Sequence, residues 1–162
     1  MLRELPSEIE EVFEKALVAE FTVIDEDGVP VTHPSLPLYD KEDGKIYVTS
    51  SLLFSKKLEH IKRNPKVSLC FSNRGGLQVD PYRVVLVKGD ARVDEEDVHH
   101  GWERLLPLWR RKEPYIDALV AQRYALPLFW DRAVIEMEPT KVYFWPGGRV
   151  DERPEVYGVK ST

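Results

Sequence analysis

Six runs of strand composition, VAEFTVI, VPVTHPSLPLYD, KIYVTSS, KVSLCFS, YRVVLVKGDARV and AVIEMEPTKVYFW, are spread over the chain between residues 18 and 145. The first three are separated only by Asp25-Glu26-Asp27-Gly28 and Lys41-Glu42-Asp43-Gly44, turns too short to hold a crossover helix, so VAEFTVI and VPVTHPSLPLYD form a hairpin. The second of these runs contains Pro30, Pro34 and Pro37. Proline cannot donate to a sheet ladder, which makes this an edge or irregular strand with unpaired backbone groups, free either to meet a ligand or simply to blunt the edge against aggregation. Gly89 marks a bend or bulge in the longest run, and Pro139 predicts an interruption in the last.

Helical patterns occur in three places. Ser7 opens one with Ile9, Val12, Phe13 and Leu17 on one face. A second spans residues 52–65. The third is an insertion, 94–131, whose first turn holds Glu95, Glu96 and Asp97, whose apolar residues include Trp102, Leu105, Leu106 and Trp109, and which Pro107 and Pro114 break into pieces. That aromatic run suits a core more than a cofactor box. Residues 72–81 read as a loop and 150–162 as a charged C-terminal tail. The pattern is mainly β, a small closed or half-closed barrel with helical additions. A length of 162 residues predicts one domain, 1–162, burying about two-thirds of its unfolded surface, with no second core.

A net charge of −5, from 23 Lys and Arg against 28 Asp and Glu, excludes a general nucleic-acid binder. Positive charge is instead local: Lys56, Lys57, Lys62, Arg63 and Lys66 stand against the single acid Glu59, while Glu4, Glu8, Glu10, Glu11, Glu14 and Glu20 make the N-terminus acidic. One basic helix on an acidic protein points to a small anion. Cys70 is the only cysteine, so no intrachain disulfide forms, and VSLCFS reads as a buried strand. The acidic amphipathic N-terminus and the lack of any apolar run of about 18 residues predict a cytoplasmic protein without a membrane span.

The chemistry concentrates in YVTSSLLFSKKLEHIKRNP, residues 47–65. Ser55 is placed to cap a helix, Leu58 and Ile61 to face inward, and Asn64-Pro65 to close it. Lys56 and Lys57 stand at the end where partial positive charge disfavours cations, by about 0.3–1 kcal/mol each at exposed positions. Strand-end hydroxyls, free N–H groups and two ammonium groups together can surround a phosphate; the alternative is a solvated pair of surface lysines. Neither Gly75-Gly76 nor Gly147-Gly148 belongs to a phosphate-binding glycine motif. His33, His60, His99 and His100 have no metal-ligand spacing, so no metal is expected, and no GxSxG supports a hydrolase.

DEDGVP, GKIYVTSS, FSKKLEHIKRNPKVSLCF and VVLVKGDARV, in that order over residues 16–93, resemble the pyridoxamine 5′-phosphate oxidase-like family of flavin-binding split barrels; EPTKVYFWPGG extends the likeness more weakly. The resemblance implies a split β-barrel that binds FMN. It carries the phosphate contacts to Ser55, Lys56 and Lys57, further phosphate or ribityl contacts to Thr49 and Ser50, and the edge of the isoalloxazine to Thr32, His33, Pro34, Ser35 and Leu36. It also implies a homodimer with the cofactor at the interface, where Trp109 or Trp145 would cover a neighbour's ring, and a flavin-dependent oxidoreductase acting on a small molecule, with no catalytic residue assigned. The alternatives are a deazaflavin-dependent reductase on the same barrel, or a non-catalytic flavin or haem carrier or sensor.

The sequence also departs from the family enzymes. They carry an arginine at the position of His33 and a lysine at that of Leu38, and they end in a Trp…Arg-Leu-x-Pro signature, whereas this chain ends VDERPEVYGVKST. Two extra residues separate Thr49-Ser50 from the Ser55-Lys56-Lys57 triplet. A true pyridoxamine phosphate oxidase is therefore not expected.

Overall fold

The computed structural model of the chain describes residues 5–158; Glu4 and the last four positions of the tail lie outside the described residues. Apolar positions three and four apart wind α1, Ser7–Lys15, which buries Ile9, Val12 and Phe13. Leu17, expected on the same face, falls beyond its last turn. Alternating burial then builds β1, Ala19–Ile24, and the Asp25–Gly28 turn returns the chain as β2, Pro30–Ser35, in register from Ala19↔Ser35 to Ile24↔Pro30.

The proline-rich run is not one strand. β3, Leu38–Asp40, leaves β2 at Leu36-Pro37 and pairs with β4, Lys45–Ser51, at the opposite end of the sheet. Proline at 37 has no N–H to extend the ladder. After β4 come a 3-10 turn, Leu52–Phe54, then α2, Lys56–Arg63, and β5, Lys66–Phe71. Val67, Leu69 and Phe71 point inward, which leaves Cys70 on the other face, half-buried rather than buried. The expected loop at 72–81 holds a short helix, α3, Arg74–Leu77, capped by Asn73 Oδ1 and docked through Leu77.

β6, Val84–Asp94, and β7, Arg132–Trp145, make the longest ladder. The break expected at Pro139 does not occur. The register shifts between Lys88 and Gly89, so that Lys88 faces Lys141 and Gly89 faces Pro139, and the extra Thr140 donates its hydroxyl to Lys88 O at 3.1 Å. Only glycine fits at 89: a Cβ would collide with Glu138 O and lie 2.9 Å from Met137 Cε. Gly89→Ala is expected to cost about 2 kcal/mol by overpacking and to lower the melting temperature by about 4–8 °C in thermal unfolding. The tail also joins the sheet: β8, Glu155–Gly158, pairs with β7. The order β2-β1-β5-β6-β7-β4-β3, all antiparallel, curls into a half-barrel with helices against it.

Two apolar clusters use this sheet, contrary to the expectation of a single core. The larger joins α1 to Phe21, Ile46, Val48, Phe71 and Ile135, among others; the second gathers Leu38, Tyr47, Trp102, Leu105, Trp109, Ile116, Trp130 and Val134. Because β4 and β7 are covered on both faces, their alternate residues serve different clusters. The insertion supplies the second cover in pieces, a 3-10 segment Gly101–Leu105, then α4, Leu106–Lys112, α5, Ile116–Val120, and α6, Pro127–Trp130. Pro107 sits in the first turn of α4 and Pro114 between α4 and α5. Residues 95–97 belong to no helix; Asp97 instead starts a turn, its Oδ1 accepting from the N–H groups of His99 and His100 and its carbonyl from Gly101 N–H. Lys112 pins the insertion down, donating from Nζ to Phe13 O and Ala16 O, both at 2.7 Å, and to Pro37 O. Burial pushes this ammonium down to about 7 while Glu14 and the three carbonyl acceptors favour its charged form.

Candidate functional site

The end of β4 passes into the lysine helix through Ser51, whose Oγ accepts from Leu53 N–H at 3.3 Å and donates to Leu128 O at 3.1 Å. The cap of this segment is therefore Ser51, acting on the 3-10 turn that holds the extra residues. Ser55 does not cap α2. Its backbone is already helical, φ −77° and ψ −11°, whereas a side-chain cap needs extended geometry. The Ser55 hydroxyl makes no hydrogen bond among the described residues. Leu58 and Ile61 do face inward, and so does His60, whose Nδ1 lies 3.4 Å from Glu26 Oε2.

Beside the start of α2 opens a cleft of about 600 Å³, lined by His33, Pro34, Leu53, Phe54, Ser55, Lys56 and Lys57. Neither lysine forms an ion pair among the described residues, although Lys56 acts at longer range on Glu26. Lys57 is half-buried, and burial followed by the charge of Arg132 lowers its pKa. Burial, then Lys57 and His60, likewise hold the His33 imidazole below its usual value, which favours the neutral ring. A second opening of about 620 Å³ lies by Asp40, Lys41, Glu42, Arg104 and Arg111. Its charges are of both signs, so it offers an anion no comparable field.

Five of the residues expected at the site meet in the cleft: His33, Pro34, Ser55, Lys56 and Lys57. The side chains of the other five lie elsewhere. Thr32 Oγ1 shares a hydrogen bond with Thr22 Oγ1 at 2.8 Å, Ser35 ends the ladder opposite Ala19, and Leu36 packs on the second cluster. Thr49 Oγ1 accepts from Arg132 Nε at 3.0 Å, and Ser50 is buried with its hydroxyl toward Ser51 O and Phe54 O. Leu53, Phe54 and Arg132 were not legible in the sequence. Leu53 and Phe54 fall within the helical pattern of residues 52–65 with no role of their own, and nothing local marks an arginine at the start of a strand. Trp109 lies in the second cluster with Nε1 donating to Glu113, so it is not placed to cover a neighbour's ring; Trp145 Nε1 donates to Glu152 O.

An apolar surface borders the cleft. Leu53, Phe54, Leu126 and Leu128 are 55%, 62%, 56% and 64% exposed, and Leu52 and Phe129 adjoin them. The Ser51–Leu128 bond and Leu52 N–H to Asp131 O, 2.9 Å, hold the two segments of this surface together. Among the described residues no three His, Cys, Asp or Glu side chains are grouped to hold a metal ion, and no helix is long and apolar enough to cross a membrane.

Comparison with curated proteins gives no match. Among solved structures, a conserved hypothetical protein from Mycobacterium tuberculosis aligns with a TM-score of 0.64 at 20% identity, over 89% of this chain and 86% of its own. A structure described as an F420 reductase gives 0.57 at 20% identity over 82% and 94%. A heme binding protein from Mycobacterium smegmatis gives 0.61 at 17% over 98% and 60%. These likenesses concern the fold. The family profile described as pyridoxamine 5′-phosphate oxidase matches residues 5–146, nearly the whole sheet and the cleft, and the protein belongs to that family.

Proposed function

We propose that the protein binds FMN in the cleft at the start of α2 and is a flavin-dependent oxidoreductase acting on a small molecule, without useful pyridoxamine phosphate oxidase activity. Family members commonly bind flavins and are typically dimeric. The observation that carries the reading is Lys57, a half-buried cation at a helix N-terminus with no carboxylate among the described residues to neutralise it. Such an arrangement is unfavourable until an anion arrives. Ser55 Oγ, Lys56 and Lys57 would hold the phosphate, and His33 and Pro34 would border the ring. Thr32, Ser35, Leu36, Thr49 and Ser50 would contribute through backbone groups or as support, since β2 is an edge strand and β4 carries the turn into α2. Bound flavin would supply hydride or electron transfer.

The apolar surface of Leu52–Phe54 and Leu126–Phe129 supports a homodimer closing over the cleft. The residues present at 33 and 38 argue against the vitamin substrate: His33 favours its neutral form and Leu38 is 1% exposed within the second cluster, so neither offers a cationic contact. One domain over residues 1–162, with 94–131 as its cover, and a cytoplasmic setting with Cys70 kept reduced complete the reading. A deazaflavin in the same cleft is the second reading, supported by the likeness to the F420 reductase structure.

Adding FMN to the purified protein is expected to shift the flavin absorbance bands saturably, and a nicotinamide donor to bleach them. An unshifted spectrum at all protein concentrations refutes the reading. Light scattering is expected to give twice 18.8 kDa; the mass of one chain across micromolar concentrations contradicts the dimer.

A further inference from the structure

Arg132 opens β7 opposite Ser51, the residue from which β4 turns toward the cleft. Its Nε donates to Thr49 Oγ1 at 3.0 Å, one terminal nitrogen to Thr49 O at 3.3 Å and the other to Phe129 O at 3.2 Å. The guanidinium lies among the rings of Phe129, Trp109 and Trp130, 5.1, 5.8 and 5.9 Å from their centroids. It has no carboxylate partner among the described residues. The acid next to it in sequence, Asp131, is turned away to His99 Nδ1 at 2.7 Å.

Tying β4 to the end of α6 does not require a charge, because a neutral donor can bond the same oxygens. Burying a guanidinium without a counter-ion is costly, and burial lowers its pKa to about 10. Three of its five N–H groups are used, so two remain. Its charge also acts on Lys57 across the start of α2. Near the end of β4, Lys57 of α2 and Arg132 of β7 are thus two partly buried cations with no acid among the described residues to offset them, a field suited to a dianion more than to a monoanion.

We propose that Arg132 supplies the second positive charge, with Lys57, for a doubly charged phosphate, so that the site selects a cofactor ending in a phosphomonoester over one whose phosphate is a diester. This rests on the reading of the cleft as a flavin-phosphate site. It favours FMN over a deazaflavin whose phosphate continues into a tail. A phosphomonoester carries about −1.5 to −2 near neutral pH, and esterification removes the second charge.

The test compares FMN with its phosphate monomethyl ester, by fluorescence quenching on the full chain at about pH 7.5, where the monoester is close to doubly charged. The wild-type protein is expected to prefer FMN about tenfold or more. Arg132→Gln is expected to bring that ratio down to within about threefold, and Arg132→Lys to retain most of it. Equal wild-type affinities overturn the proposal, as does an undiminished ratio in Arg132→Gln. If Arg132→Gln does not fold, the wild-type ratio decides. If no flavin binds, the FMN reading fails, and inorganic phosphate in place of chloride tests the charge pair separately. Thermal protection that is lost in an Arg132 variant supports it, and absence of protection overturns it.

Discussion

Lys57→Ala is expected to weaken FMN binding about tenfold to a hundredfold, the effect of removing one charge-assisted contact of about 1.5–3 kcal/mol. Riboflavin affinity is expected to stay within about twofold, because the ammonium is assigned to the phosphate and not to the ring. Lys57 is the more informative of the two lysines. Its pKa is lowered by burial and by Arg132, so its charge acts at lower effective dielectric than that of exposed Lys56. Lys56→Ala is accordingly expected to cost less, and raised salt to narrow the difference between the Lys56 variant and wild type. Parallel titrations of both variants with both flavins check this. Equal losses for FMN and riboflavin at Lys57 would assign it to the ring or to folding.

Trp102→Ala is expected to destabilise the protein by about 3–5 kcal/mol and to lower its melting temperature by roughly 6–20 °C, followed by circular dichroism. Trp102 is fully buried, with ring centroids 5.5 Å from Trp130 and 6.3 Å from Trp109. Its Nε1 has no hydrogen-bond partner among the described residues, so the expected loss is one of packing. Trp109 and Trp130 also flank Arg132, the residue proposed to help hold the phosphate. FMN affinity is therefore expected to fall in this variant even at temperatures where it remains folded. A cost below about 1 kcal/mol would show that the insertion's aromatic residues are not a core.

What the sequence disclosed follows from the range over which each feature is determined. Strands β1, β4, β5 and β6 were legible because alternation and turn residues are local, and Ser55, Lys56 and Lys57 because three contiguous residues at a helix start share one neighbourhood. The division of residues 30–40 between two ends of the sheet was not legible, since prolines mark where a ladder weakens but not where the chain goes next. Continuity of β7 through Pro139 depends on Gly89, 50 positions earlier, which absorbs the register shift. The second core was obscured because Pro107, Pro114 and Pro127 cut the insertion into segments too short to show a period. Arg132 became visible only through Thr49 and the rings of Trp109 and Trp130, contacts that no local pattern encodes.

The proposed function rests on the two cations near the end of β4, Lys57 and Arg132, as the groups that would recognise the phosphate of the cofactor. Titrating the purified full chain with FMN and with riboflavin, side by side at low salt, therefore tests the account most directly. FMN is expected to bind saturably and at least about tenfold more tightly than riboflavin. Equal affinities, or binding of neither flavin, would contradict it.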